Sequence, residues 1–367
     1  MLKIEVTDSA LAFQNLKADW DDLLNKSLHP HIFLSWDWLY CWWKYFGEKK
    51  QLRILIARDQ VGTIKGIAPL FVTTEKWGLR NLKVVKFLGT YPISSEYLDF
   101  ICEERYAREA TVSFLSYLTA LKGVDLLFFS DMLPDSLVLK SAKETCSGTF
   151  QIETGETCPR IAFPADWETF VKSVNRRVRE YVKSNWKFFI GEKQARLKKA
   201  GPADYEQALS ELFRLHTSRW QAKGKKGSFA LKEKRDFHQE ICRRFLEKNQ
   251  LGLYYLELNQ KIISVLYGFV YQDTYYYYQT GFDRSFENKK PGLLVLYHAI
   301  EQSFQAGLKS FDFLRGEEEY KLKWANSRNQ THHLLTPLTS KARLALQTRK
   351  GYLRVKSKVK GLLRKPF

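Results

Sequence analysis

The segment KIISVLYGFVYQDTYYYYQTGFDRSFENKKPGLLVLYHAIEQSFQAGLKSFDFL, residues 261–314, decides the fold. Residues 261–271 and 274–283 are rich in β-branched and aromatic side chains, which predicts two antiparallel strands. Residues 291–307 carry apolar side chains at helical spacing, and 309–314 predict a further strand. Because LGLYYLELN (251–259) predicts a strand before them, the region as a whole predicts a β meander followed by a helix and a strand.

The start of this predicted helix can hold an anion. Pro291 suits the first helical turn, and Gly292 lets a ligand approach the backbone closely. The unpaired N–H groups of a helix start attract phosphate, and two lysines precede them. We therefore expect a cofactor pyrophosphate to be bound by Lys289, Lys290, Pro291, Gly292 and Leu293. The alternative is that Pro291 and Gly292 only begin the helix.

The first half of the chain predicts a similar arrangement of elements. FLSWDWLYCWWKYFG (33–47) has the periodicity of an amphipathic helix. LRILIARD (52–59) and IKGIAPLFVTTEKW (64–77) predict two strands joined by a tight turn. A helix near 105–121 and an apolar strand at 124–130 follow. This half therefore combines helices and strands in one α/β unit.

The second half predicts the same order. ADWETFVKSVNRRVREYVKSNWKF (165–188) predicts one long helix capped by Asp166, and helices over 203–221 and 237–248 precede the meander. We expect an α+β (mixed α/β) fold because helices, a meander, a helix and a strand occur in each half. The expected domains are residues 1–163 and 164–339, followed by a basic tail at 340–367.

The composition excludes several classes of protein. The chain has 367 residues and a net charge of +19, and no stretch approaches the roughly 20 apolar residues of a membrane span. No secretion signal is recognised, so we expect a cytoplasmic protein. The five cysteines are scattered without a C-x-x-C pair, which predicts neither a disulfide framework nor a metal site. Basic residues concentrate in 176–187 and 341–367 and need an anionic partner or a solvated face.

One group of candidate residues lies on the predicted helix 203–221. His216, Arg219 and Trp220 are three and four residues apart, so they share a helical face next to the Gly-Lys-rich loop 223–229. Together they can line a cleft, with His216 in a catalytic role and Arg219 and Trp220 binding substrate. The alternative is that His216 is a satisfied structural residue.

Asp312 is a second candidate. It lies between two phenylalanines on a predicted strand, where an unpaired carboxylate is costly to bury. It therefore either pairs with Arg315 or Arg284, or faces a cleft as a catalytic base or amine-orienting group.

Four motifs occur in an order that resembles a known family. They are FLSWDWLYCWWKYFG, LHTSRWQAKGKKGSF with Phe237-His238, YYYYQTGFDRSFENKKPGLLVLYHAIE and FDFLRGEEEYKLKWAN. Their order resembles the GNAT superfamily, specifically its CelD-like double-domain branch associated with cellulose and other polysaccharide biosynthesis, to which Fem-type peptidyltransferases are related. The resemblance spans nearly the whole chain. It implies two tandem GNAT-like domains, each a mostly antiparallel twisted sheet flanked by helices, with the donor site in the second.

The resemblance also implies a chemistry. It implies an N-acyltransferase that moves an acetyl or other acyl group from acyl-CoA, its co-substrate, to an amine of a small-molecule, sugar or lipid-linked acceptor. It places the reacting groups after the strand 309–314, so Tyr320 would protonate the leaving thiolate and Lys321 would bind phosphate or a substrate carboxylate. The alternative is a solvated turn of acidic and basic residues with Tyr320 packed below it. The resemblance also suggests that Glu96 and Asp99 contact the acceptor, and the alternative is that they are acids at a strand edge. The chain departs from the usual R/Q-x-x-G-x-G/A phosphate loop, because only Gly292 stands beside Pro291.

The mechanism predicted from these residues is direct displacement. No Ser-His-Asp or Cys-His spacing is evident, so a covalent acyl-enzyme is not expected. A backbone N–H in the strand 262–270 would instead polarise the thioester carbonyl while the amine attacks.

Two rival functions stay open. A Fem-type transfer of an aminoacyl group from tRNA fits the basic exterior and the helix NRRVREYVKSNWKFF (175–189), which resembles those relatives. No tRNA-binding module is recognised, so a specific nucleic acid partner is not expected. A non-enzymatic nucleic-acid or membrane-surface protein is the second rival, and it rests on the tail 340–367. That tail predicts peripheral contact with an anionic membrane at its inner face, or else a basic helix packed on the second half.

Overall fold

The computed structural model describes residues 2–145 and 150–349. These residues form two compact units. Unit 1 contains the chain up to Gly155 together with the described residues from Thr331 onward, and unit 2 contains Glu156–Gln330. No helix in the described ranges combines the length and the apolar character needed to cross a membrane.

Unit 1 is a mostly antiparallel sheet with helices. Its elements are β1 Lys3–Thr7, α1 Ala10–Asn15, α2 Lys17–Asn25, α3 Trp36–Phe46, β2 Gln51–Arg58, β3 Ile64–Trp77, β4 Arg80–Phe87, β5 Ile101–Cys102, α4 Ala107–Thr119, β6 Leu126–Met132, α5 Leu137–Thr145 and the start of β7 Gln151–Ala162. The sheet order is β1-β2-β3-β4-β6, completed by the strand β13 Ser327–Pro337, and β5 pairs with β3. Among the described strands of this unit, β4 and β6 are the only parallel pair.

Aromatic side chains fill the interior of unit 1. Ser35 caps α3 by accepting a hydrogen bond from the N–H of Trp38. The indoles of Trp38 and Trp42 are fully buried, and their N–H groups donate to Ser95 Oγ at 2.8 Å and to the Thr90 carbonyl at 2.7 Å. Each indole thus buries a large apolar area without leaving its donor unsatisfied.

Unit 2 repeats this plan. Its elements are α6 Trp167–Ser173, α7 Arg176–Trp186, β8 Arg196–Lys199, α8 Tyr205–Gln221, α9 Lys232–Glu247, β9 Leu251–Leu258, β10 Lys261–Tyr271, β11 Thr274–Phe282, α10 Pro291–Gln305, β12 Ser310–Asp312 and α11 Glu319–Leu322. The sheet order is β8-β9-β10-β11-β12-β7, and only β11 and β12 run parallel. The predicted mixed α/β class, with a mostly antiparallel sheet flanked by helices, is confirmed.

The two units share one topology. In each, a first strand, helices, a three-stranded meander, a helix and a parallel strand follow in that order. In each, the last strand of the sheet comes from the other half of the chain, since β13 joins β6 and the end of β7 joins β12. This exchange moves the compact units away from the predicted divisions at 163 and 339, because hydrophobic patterns do not indicate which sheet a strand joins.

Two segments of the chain depart from their predicted helices. The segment 165–188 is two helices, because Val174 adopts an extended ψ of 141° and Asn175 caps α7 by accepting from the N–H of Arg177. Asp166 caps α6 as predicted. Residues 340–349 are helical, and Ala342, Ala345 and Leu346 pack in a cluster with residues of unit 1, whereas 350–367 lie outside the described residues.

Candidate functional site

The end of β11 leaves the sheet open on one side. β12 pairs with β11 only from Thr274 to Tyr276, whereas β11 continues to Phe282. β10 pairs with β11 along this whole length, with a bulge opposite Tyr267 and Gly268. The backbone of residues 277–282 therefore has one strand neighbour in the described sheet and a free edge on the other side.

A pocket of about 320 Å³ lies at this free edge. We call it the β11 pocket. Its walls come from β11, the start of α10, α7, the end of α8 and the segment around α11. The lining residues are Arg177, Val178, Tyr181, Arg219, Tyr277, Thr280, Phe282, Glu287, Lys290, Gly292, Leu293, Leu296, Tyr320, Lys323 and Trp324.

The start of α10 forms one wall of the pocket. Lys290 adopts a left-handed conformation (φ 48°, ψ 56°) before Pro291, which occupies the first helical position. The N–H of Gly292 has no acceptor among the described residues. A Cβ added to Gly292 would lie 3.5 Å from Phe282 Cδ1, an ordinary contact. Packing therefore does not require glycine here, whereas close approach of a ligand to the backbone would.

Positive charge dominates the lining. Four cations and one acid, Glu287, line the pocket. The Lys290 ammonium lies 3.6 Å from the centroid of the Tyr181 ring, and Lys323 pairs with Glu319 at 2.7 Å. Lys289 points elsewhere, since its ammonium lies 4.5 Å from the Phe188 ring and it is not part of the lining. Of the five residues predicted to bind pyrophosphate, Lys290, Gly292 and Leu293 line the pocket, Pro291 occupies the first position of α10, and Lys289 lies outside.

Two tyrosine hydroxyls meet in the pocket. The Tyr277 and Tyr320 hydroxyl oxygens are 3.1 Å apart and share a hydrogen bond. Burial raises the pKa of Tyr277 to about 12 and raises the pKa of Tyr320 further above its usual range. Both hydroxyls are therefore protonated at neutral pH. A protonated hydroxyl in a pocket is able to donate a hydrogen bond or a proton to a developing anion.

Asp312 and Lys321 lie outside the lining. Asp312 is buried and its Oδ1 accepts from the N–H of Leu314 at 2.7 Å, where Leu314 has a left-handed φ of 56°. Lys321 donates from Nζ to the Arg315 carbonyl at 2.6 Å and pairs with Glu318 at 2.9 Å. These contacts stabilise the turn between β12 and α11. They position Tyr320 rather than meeting a ligand in the β11 pocket.

Of the three residues predicted on α8, only Arg219 lines the described pocket. Arg219 lines the pocket and lies 5.0 Å from the centroid of the Phe282 ring. His216 is fully buried, and its Nε2 accepts from the indole N–H of Trp220 at 2.8 Å. Burial, assisted by the charge of Arg219, lowers the pKa of His216 to about 4, so the imidazole is neutral. Neither His216 nor Trp220 belongs to the lining of the β11 pocket.

Glu96 and Asp99 belong to unit 1. Both are buried, and Asp99 accepts from the N–H groups of Leu137 and Val138 at the start of α5, at 2.6 and 3.2 Å. Burial raises the pKa of Asp99 to about 7, although these backbone hydrogen bonds act to lower it. Asp99 is thus a helix-capping residue. Neither acid lines the β11 pocket.

Several lining residues were not predicted from the sequence. Strand 262–270 was expected to supply the carbonyl-polarising N–H, yet none of its residues lines the pocket. The reason is that β10 is paired on both sides, with β9 and β11, so its N–H groups are occupied. The lining strand is β11, and Tyr277, Thr280 and Phe282 come from it. Tyr277 lies within a run of four tyrosines, and a bulge in β11 after it breaks the simple alternation of faces that would otherwise predict the inward-facing residues.

Comparisons with known proteins identify the fold. A family model described as an acetyltransferase (GNAT) domain matches residues 177–322. A structure of FemX is 11% identical with a TM-score of 0.59, covering 91% of this chain and 96% of that chain. A conserved protein of unknown function from Bacteroides thetaiotaomicron VPI-5482 is 11% identical with a TM-score of 0.57, covering 91% and 100%.

L-PGS from Bacillus licheniformis is likewise 11% identical, with a TM-score of 0.54 over 90% of this chain and 96% of that chain. At such identities the likeness concerns the fold alone. A search of curated proteins finds no match. The matched residues include the whole β11 pocket except for Lys323 and Trp324, which follow directly. Residues 177–322 thus match a GNAT-type acetyltransferase domain, and the chain shares its fold with FemX and L-PGS.

Proposed function

We propose that the protein is an N-acyltransferase that transfers an acetyl or other acyl group from acyl-CoA to an amine by direct displacement. The observation that carries the proposal is the β11 pocket itself. In it, a helix start with a free Gly292 N–H and nearby cations faces a pair of protonated tyrosine hydroxyls. Groups suited to binding phosphate and to protonating a leaving thiolate thus lie in one cavity, largely within the residues that match a GNAT domain, and they support the proposal.

The donor would enter along the free edge of β11. Its pyrophosphate would lie at Gly292 and Leu293, where the helix start and the Lys290 charge favour anions. The amide groups of its pantetheine arm would pair with the free backbone edge of residues 277–282. The apolar surfaces of Val178, Leu296 and Trp324 would surround the apolar part of the donor.

The transfer forms one bond and breaks one. The amine nitrogen attacks the thioester carbonyl carbon, the C–N bond forms, and the C–S bond then breaks. The leaving sulfur takes a proton from the Tyr320 hydroxyl, and the proton released by the nitrogen returns through water and the Tyr277 hydroxyl to Tyr320. The products are an amide and a free thiol, with no net gain or loss of protons. Holding both reactants in one pocket supplies much of the acceleration.

The acceptor and the cellular setting belong to the same proposal. A sugar or lipid-linked amine would fit the resemblance to the CelD-like branch of polysaccharide biosynthesis. A cytoplasmic enzyme in peripheral contact with an anionic membrane would reach such an acceptor, and the cations of the tail 340–367 would favour that contact.

Calorimetric titration with acetyl-CoA tests the donor assignment. We expect one site per chain with a dissociation constant in the range typical of KM values, roughly 1 μM to 1 mM. Lys290→Gln should weaken binding about tenfold, because a charged partner of phosphate is lost. Lys289→Gln is the matched control and should have a clearly smaller effect, since Lys289 lies on Phe188 outside the pocket. Equal effects of the two changes, or no binding at millimolar acetyl-CoA, would refute the assignment.

An aminoacyl-tRNA donor is the second candidate. It is favoured by α7, whose exposed Arg177, Tyr181 and Lys183 combine cations with an aromatic ring beside the pocket. Acyl transfer from aminoacyl-tRNA, together with failure of acetyl-CoA to bind, would favour this candidate over acyl-CoA.

A further inference from the structure

Arg219 is the single lining residue that α8 contributes to the β11 pocket. α8 packs against the sheet at Gly281, where an added Cβ would lie 3.0 Å from Leu215 Cβ. The other three lining cations, Arg177, Lys290 and Lys323, come from α7, the start of α10 and the end of α11. Arg219 therefore reaches the pocket from α8, whereas the other three cations are grouped around the start of α10.

Arg219, like Lys290, lies on an aromatic ring and has no carboxylate partner in the described residues, whereas Lys323 is paired with an acid. Lys323 has a carboxylate 2.7 Å away, and Lys290 lies on the face of Tyr181. In the described part of the chain, no carboxylate lies within ion-pair distance of Arg219, and its guanidinium lies 5.0 Å from the centroid of the Phe282 ring. Contact with an aromatic ring offsets only part of the free energy that a partly buried guanidinium loses when water is removed from it. A bound anion would supply the missing ion pair.

The charge of Arg219 acts where the acyl group would react. This charge acts to lower the pKa of both Tyr277 and Tyr320, whereas burial raises it. The guanidinium is therefore near the two hydroxyls. The phosphates of the donor have their own site at Gly292 and Lys290. We propose that Arg219 binds an anionic group, a carboxylate or a phosphate, on the amine acceptor. This inference rests on the proposed acyl transfer to an amine and adds the class of acceptor.

The chemistry of arginine narrows the acceptor further. Its planar fork presents two parallel N–H donors, which match the two oxygens of a carboxylate or phosphate. Preferred acceptors are therefore amines with such a group a few bonds from the nitrogen, as in an amino acid or a phosphorylated amino alcohol. Neutral amines of the same size would lose this contact and react more slowly.

Matched pairs of amines test the inference. We would measure kcat/KM for thiol release from acetyl-CoA with alanine against alaninamide, and with phosphoethanolamine against ethanolamine. The wild-type chain should prefer the anionic member of at least one pair by about tenfold or more, the size expected of a charged hydrogen bond. The first pair tests recognition of a carboxylate, and the second pair tests recognition of a phosphate. Arg219→Gln should reduce that preference to about one, and Arg219→Lys should restore part of it.

Two control variants separate this inference from other roles of charge. Arg214→Gln makes the same charge change on the same helix, at a residue that pairs with Glu211 at 2.6 Å outside the β11 pocket, and should keep the preference. Lys290→Gln should raise the KM for acetyl-CoA and keep the preference. If Arg219→Gln instead raises the KM for acetyl-CoA as Lys290→Gln does, Arg219 binds the donor and the inference is wrong.

If none of the four amines reacts, a binding measurement tests whether Arg219 recognises the anionic group. Saturation-transfer NMR on acetyl-CoA-loaded protein should then detect alanine or phosphoethanolamine, and Arg219→Gln should remove the signal. Absence of any such signal, or equal signals for the neutral members, would overturn the inference while the donor assignment stands. Failure of the wild-type chain to bind acetyl-CoA would instead contradict the proposed function.

Discussion

Removing the Tyr320 hydroxyl tests the chemistry most specifically. Tyr320→Phe deletes one oxygen, and the ring can keep its packing beside Tyr277. The lost hydrogen bond joins two neutral hydroxyls at 3.1 Å, so the free energy of unfolding should fall by only about 0.5–1.5 kcal/mol. Loss of a general acid typically lowers a rate by roughly 10²–10⁴-fold, equivalent to about 3–5 kcal/mol in the activation barrier. The rate should therefore suffer far more than the stability.

The assay is thiol release from acetyl-CoA with the best available amine, accompanied by calorimetric titration of donor binding. Tyr277→Phe should reduce kcat less, by roughly three- to thirtyfold, because Tyr320 keeps its proton and loses its orienting partner. The double variant should resemble Tyr320→Phe alone, since the two hydroxyls act as one unit. Burial raises both pKa values, that of Tyr277 to about 12, so no loss of rate from tyrosine ionisation should appear below about pH 10.

Tyr275→Phe is the matched control for this experiment. Its hydroxyl donates to the Gly252 carbonyl at 2.6 Å and lies outside the β11 pocket. The change removes one buried hydrogen bond and should lower stability with little effect on kcat. If Tyr320→Phe keeps its turnover within threefold of the wild type, the hydroxyl is not the acid and the proposed chemistry is wrong.

Four further predictions use other parts of the chain. Gly292→Val should weaken acetyl-CoA binding at least tenfold in calorimetry and leave the melting temperature within a few degrees, because Phe282 leaves ordinary contact room for the first carbon. Asp99→Ala should lower the free energy of unfolding by about 1–3 kcal/mol in urea and leave donor affinity intact, since Asp99 caps α5. The pKa of His216 is lowered to about 4, so the unfolded chain binds its proton more readily than the folded chain does. The free energy of unfolding should therefore fall, by on the order of 2–3 kcal/mol, as the pH decreases from 6.5 towards 4. His216→Gln should remove this part of the acid sensitivity in urea unfolding. The full chain should sediment with anionic vesicles at low salt, whereas a chain cut after Arg349 should not, and equal sedimentation would refute a membrane role for the tail.

Local patterns predicted most of the fold. The helix α10 begins at Pro291 as expected, because the proline ring and the following apolar spacing are local signals. The exchange of β7 and β13 was not predictable, since a strand carries no mark of the sheet it joins. The break at Val174 was also missed, because helical periodicity continues across it while Asn175 starts a new cap.

The site was also predicted only in part, because local patterns indicate some of its residues but not the tertiary contacts. Lys290, Gly292, Leu293, Arg219 and Tyr320 all line the pocket, but the role of each stays a prediction. Other candidates lie elsewhere because polar residues beside a site often support the backbone. Asp312 and Lys321 stabilise the turn that carries Tyr320. His216 is buried, and its Nε2 accepts from a neighbouring indole, whereas its Nδ1 has no partner among the described residues. Tyr277 could not be chosen among four consecutive tyrosines, since only the tertiary structure shows which hydroxyl meets Tyr320.

A crystal structure of the full chain with bound CoA would show directly whether the β11 pocket binds the donor. We expect one CoA in unit 2, with its pyrophosphate on the N–H of Gly292 and beside Leu293, whose own N–H donates to the Lys290 carbonyl at 3.0 Å. The sulfur should lie within hydrogen-bond reach of the Tyr320 hydroxyl, roughly 3–4 Å for a sulfur acceptor. CoA bound in unit 1, or CoA in unit 2 with its sulfur remote from Tyr320, would contradict the account.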